Sequence, residues 1–73
     1  MNNEFWTVLE IQMMANGQKA TLATAHDTEK AAHSAYYTVL AAAVLSEIPY
    51  HAAYLISSSR GVQLMQIYDR RDS

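Results

Sequence analysis

Phe5-Trp6-Thr7-Val8-Leu9-Glu10-Ile11-Gln12-Met13-Met14, followed by Ala15-Asn16-Gly17, is the stretch on which the fold turns. Aromatic and β-branched residues crowd its first ten positions, and alternation puts Phe5, Leu9, Ile11 and Met13 on one face, which reads as a β-strand. The other face carries Trp6, Val8 and Met14 beside Glu10 and Gln12 and is only half polar, so both faces suit burial. Asn16-Gly17 is a strong hairpin signal, because a two-residue type I′ turn needs positive φ at both central positions. Lys19 to Ala25 is therefore expected to return antiparallel to the first strand.

Downstream, Asp27 and Thr28 each offer an oxygen to the free amides of a starting helix, and Glu29 adds negative charge at its positive end. The helix is expected to run to about Glu47, since Pro49 disfavours helical geometry at Ile48. At about 100° per residue, Ala32, Ala35, Tyr36, Val39, Leu40, Ala42 and Ala43 fall on one broad face suited to packing on a sheet. Tyr50 to Ser57 alternates as a third strand and Val62 to Tyr68 as a fourth. Ser58-Ser59-Arg60-Gly61 joins them, with a glycine where a left-handed residue closes a hairpin. Asp69-Arg70-Arg71-Asp72-Ser73 is a mixed-charge end expected to fray.

These elements define a single α+β domain over residues 1–73, a two-layer β-β-α-β-β arrangement with one helix on a four-stranded sheet. Order 2-1-3-4 is expected over 1-2-3-4, because it makes every neighbouring pair antiparallel and places the most apolar strand in the middle.

The composition bears on assembly. A chain of 73 residues buries only about 60% of its unfolded surface, and with no cysteine it has no disulfide or thiolate metal site to add stability. Charged residues are 16% of the chain and apolar ones 51%, against about 25% charged in a typical domain. Too little polar surface remains to cover a monomer, so a homo-oligomer, most simply a dimer, is expected. One helix covers only one sheet face. The interface candidates are Trp6 and Val8 on the sheet, and Tyr37, Ala41 and Val44, which form an outer helix stripe at i, i+4 and i+7.

The net charge of −2 and the scattered bases leave no stripe for phosphates, so no nucleic-acid partner is expected. Met1-Asn2-Asn3-Glu4 lacks the basic start and apolar run of a secretory signal. The Ala41 to Leu45 run is far shorter than the roughly 20 residues of a membrane span. The protein is accordingly placed in the cytosol, with no membrane partner.

Few residues invite chemistry. Glu29 and His33, four apart on the helix, present two ligands on one face, but a metal site needs a third from His26 or His51, whose positions the spacing does not fix. The three histidines invite a general-base reading, yet there is no cysteine nucleophile and no Gly-x-Ser-x-Gly elbow. Ser58 to Gly61 offers hydroxyls, amides and a guanidinium to an anion, and reads more simply as a solvated turn. Asp27 and Glu29 would repel a phosphate from the helix start. No catalytic residue, cofactor or metal is therefore assigned. The expected function is a small homo-oligomeric binding or regulatory module. Its rivals are a small enzyme with a histidine and a tyrosine in a subunit cleft, and an accessory subunit of a larger complex.

Overall fold

The computed structural model describes residues 4–71, and its elements are β1 (Trp6–Met13), β2 (Lys19–His26), α1 (Glu29–Leu45), β3 (Tyr50–Ser57) and β4 (Gly61–Asp69). The sheet has the order β2-β1-β3-β4 with every neighbouring pair antiparallel. Each expected element is present in the expected order. The final residues of the expected fraying end, Asp72 and Ser73, lie outside the described residues. Asp69 to Arg71 do not behave as a loose end. The Arg70 guanidinium donates to the carbonyl oxygens of Ala43 (3.1 Å) and Val44 (3.3 Å), and its amide donates to Pro49 at 2.6 Å. Carbonyls at a helix C-terminus lack intrahelical donors, so this arginine both satisfies them and complements the negative end of the helix.

The first hairpin forms by a different turn from the one expected. Gly17 has φ of 89°, whereas no non-glycine residue among those described has positive φ, which excludes type I′ at Asn16-Gly17. The Gly17 amide donates to Met14 O at 3.0 Å and the Met14 amide to Gln18 O at 2.7 Å. This is a three-residue loop in which a type I-like turn over Ala15 and Asn16 is followed by a left-handed glycine. The Asn16 side chain accepts from the Gln18 amide at 3.0 Å. At the helix start Thr28 is the N-cap, accepting from the Ala31 amide at 3.1 Å.

β2 and β3 each run antiparallel to β1 and so parallel to one another, which makes β2-α1-β3 a crossover that passes over β1. Buried beneath the helix are Trp6, Val8, Ala53 and Leu55, packed with Ala32 and Tyr36, and Ala35, Val39, Leu40 and Leu64 close around them. Of the expected sheet-facing helix positions, Ala42 alone is exposed. Trp6 and Val8, expected on the face away from the helix, are instead in the core at 4% and 3% exposure. The reason is topological. Crossovers between parallel strands are right-handed, so the chain's path assigns the helix to a face of the sheet, and β1 offers apolar side chains on either side.

Candidate functional site

The helix on the Trp6 side leaves the opposite sheet face without a covering layer among the described residues. Residues directly opposite one another across antiparallel strands point to the same side, so the register sets out this open face row by row. Met13 stands with Lys19, Tyr50 and Asp69; Ile11 with Thr21, Ala52 and Ile67; Leu9 with Ala23, Tyr54 and Met65; Thr7 with Ala25, Ile56 and Val62. Phe5 extends the same side beyond β1. The two central strands shield one another, leaving Leu9, Ile11, Tyr54 and Ile56 half-buried. Toward the β4 edge Val62 and Met65 are 53% and 58% exposed. Within these rows charge enters only at the terminal one. There Asp69 is paired with Arg71 at 2.7 Å, which holds its carboxyl down at about 2 through hydrogen bonds from the guanidinium and the Arg71 amide. The Arg71 guanidinium in turn lies 4.8 Å over the Tyr50 ring.

Of the interface candidates read from the sequence, Trp6 and Val8 are already occupied by the helix and present nothing to a partner. Tyr37, Ala41 and Val44 are exposed as an outer helix stripe, with Tyr37 edge-on to Tyr36 at 5.2 Å between ring centroids. The residues that the sequence reading missed are those of the open face. Their signal was present in the alternation that put Phe5, Leu9, Ile11 and Met13 together, and in the matching row Tyr50, Ala52, Tyr54 and Ile56.

The histidines do not converge. The His33 ring is engaged with the Glu29 carbonyl at 3.0 Å, His26 with the Thr24 hydroxyl at 2.9 Å, and His51 lies beneath the helix, paired with Glu10. Among the described residues no three His, Asp or Glu side chains come together as a metal set. Within one chain His51 does not meet the tyrosines of the open face, since His51 points to the helix side and Tyr50 and Tyr54 to the other.

Two polar clusters remain. Ser57 to Arg60 do gather around an anion, and that anion is the chain's own Glu4. Its carboxylate takes hydrogen bonds from Ser57, from Ser59 at 3.0 Å and from Arg60 at 3.3 Å. These hydroxyls hold Glu4 below the usual carboxylate range, and Arg60 also lies 5.1 Å over the Trp6 ring. The second cluster is Glu10, Gln12 and His51. One carboxylate oxygen, Glu10 Oε2, accepts from both His51 Nε2 and Gln12 Nε2, the latter at 2.9 Å. The cluster borders a groove of about 220 Å³ lined by Glu10, Gln12, Ala20, Thr21 and Leu22.

No protein-family model, curated protein or solved structure matches this chain. No helix among the described residues is long and apolar enough to cross a membrane.

Proposed function

We propose that this chain is a homodimeric binding or regulatory module whose second copy packs on the open sheet face. The observation that carries the reading is that face itself, apolar over β1, β3 and most of β4, with the alanines of β2 beside them, and without a covering layer among the described residues. A four-stranded sheet of this fold is stable when an apolar face meets another element, and the one helix among the described residues lies on the other side.

Area and charge favour a second copy as the occupant. Four strands about 4.8 Å apart and eight residues rising about 3.3 Å each give a face of about 500 Å². Two such faces bury about 1,000 Å² in projection, the size at which specific interfaces begin. The charges within the strand rows of the face, Lys19 on β2 and Asp69 on β4, occupy one terminal row at opposite edges. A two-fold axis parallel to the strands stacks β2 of one copy over β4 of the other, which brings Lys19 of each copy toward Asp69 of its mate. Pairing along the exposed β2 edge would join two sheets but leave both apolar faces in water.

The test is light scattering behind a sizing column. A mass of twice 8.2 kDa that falls to the single-chain value in Ile11→Glu, with the circular dichroism of the wild type retained, supports the reading. A wild-type mass of 8.2 kDa at every concentration overturns it.

A further inference from the structure

The groove beside Glu10 lies on the helix side of the sheet, away from the open face. α1 crosses the sheet diagonally. Its first half packs over Trp6 and Val8, and its end meets Arg70 beyond β4. The corner where the second half of β1 meets β2 is therefore left uncovered, and there the helix-facing residues of β1 turn from Trp6 and Val8 to Glu10 and Gln12. Ala20 and Leu22 of β2 supply apolar walls.

Glu10 brings negative charge into that groove. His51 is almost wholly buried, at 3% exposure, and its Nε2 faces Glu10 Oε2. Its Nδ1 is buried with no partner among the described residues. A cationic imidazolium would have to bury a second N–H on Nδ1 with no acceptor, an unfavourable arrangement, so the neutral Nε2–H tautomer is the one this geometry fits. The dyad then keeps the carboxylate's charge. No guanidinium among the described residues offsets it: Arg60 and Arg71 pair with Glu4 and Asp69, and Arg70 serves the end of α1. Among the described residues both bonds to the carboxylate fall on Oε2, so Oε1 is left to accept from whatever enters.

We infer that this groove binds a short alkylammonium group, with the ammonium on Glu10 and the hydrocarbon against Ala20 and Leu22. The chemistry follows from the walls: a single acceptor carrying negative charge asks for a cationic donor, and methyl-lined surroundings ask for an apolar body. The volume is below the roughly 300 Å³ at which sites for drug-sized ligands begin, which limits the body to a few carbons. A free amine and the end of a lysine side chain share this chemistry.

The experiment is an amide and side-chain NMR titration of the whole chain with n-butylammonium, n-butanol and Nα-acetyl-lysine N-methylamide. Saturable shifts are expected at Ala20, Thr21, Leu22 and the Gln12 side-chain amide with n-butylammonium, with n-butanol weaker by at least about tenfold for want of the charge-assisted bond. Glu10→Gln, which keeps an acceptor for His51, is expected to abolish the difference between the two probes. Equal binding of the lysine derivative assigns the group to a side chain as well as a free amine, and failure of that derivative alone assigns it to a free amine. The inference is overturned by no saturable shift with n-butylammonium, by shifts centred elsewhere, or by n-butanol binding as well as the ammonium. The probe comparison needs only the wild type, so it stands even if Glu10→Gln fails to fold. The site does not depend on the dimer, and a monomeric chain would leave the titration unaffected.

Discussion

Val8 and Leu9 are neighbours in β1 whose side chains leave the strand in opposite directions, so the same substitution at each separates the core from the proposed interface. Val8 is 3% exposed among Trp6, Tyr36 and Leu55. A chain of 73 residues, at roughly 0.05–0.15 kcal/mol per residue, is stable by about 4–11 kcal/mol. An unpaired carboxylate there costs several kcal/mol, on top of about 2 kcal/mol of lost valine burial, so Val8→Glu is expected to unfold much or all of the protein. Leu9 lies opposite Ala23 and Tyr54 on the open face. In a monomer the carboxylate introduced by Leu9→Glu would reach water, so the fold should survive. Leu9 is already half-buried within one chain, so in a dimer each copy loses about 0.8–1.5 kcal/mol of further leucine burial, or about 1.5–3 kcal/mol for the pair, which raises Kd by about 10 to 10². Circular dichroism reads the fold and light scattering the mass. A folded Val8→Glu would refute the placement of the helix, and a Leu9→Glu that keeps the dimer mass would refute stacking on the open face.

Three further outcomes are expected. Gly17→Val forces a β-branched side chain to φ of 89° and should cost on the order of 1 kcal/mol or more, although a Cβ there meets no neighbour; an unchanged urea midpoint would remove the left-handed turn. Asp69 has its folded pKa depressed to about 2 by Arg71, so its contribution is present above the unfolded value near 3.8 and is lost as pH falls toward 2. Acid titration of the denaturation midpoint should show a flatter profile over that window in Asp69→Asn, and identical profiles would exclude the pair as a contributor. Oligonucleotides should not shift in gels at micromolar protein and physiological salt, because five bases among seven acids form no electrostatic footprint; a retarded band would count against the module as described.

What the sequence disclosed and withheld follows from the range of the interactions involved. Strands, helix and hairpins are set by alternation, caps and turn residues within a few positions of one another, and Thr28, Gly17 and Pro49 all act locally. The turn at Asn16 was legible as a turn but not by type, since Met14 and Gln18 bond to each other only once the register is fixed. The Glu10–His51 pair spans 41 residues and depends on the β1–β3 register, which places Gln12 opposite His51. Nothing in the spacing of those residues signals it. Arg70 read as part of a frayed end because its acceptors, the carbonyls of Ala43 and Val44, lie 27 and 26 positions away.

The assignment of faces is the instructive case, because hydrophobicity was legible and still pointed to the wrong side. Each face of β1 has its own apolar set, and a criterion that ranks faces by apolarity cannot decide between two that both qualify. Polarity along the Trp6 side offers a finer criterion. That side is apolar at Trp6 and Val8 and polar at Glu10 and Gln12, a division expected where a helix crosses diagonally and covers one end of a strand more than the other. The Leu9 side has no such break, with Phe5, Leu9, Ile11 and Met13 interrupted only by Thr7. A uniformly apolar row suits a partner that lies flat along the strand, as a second sheet does at about 10 Å. The broken row therefore marks the face that meets the helix, and the unbroken row the face on which a second sheet is proposed to pack.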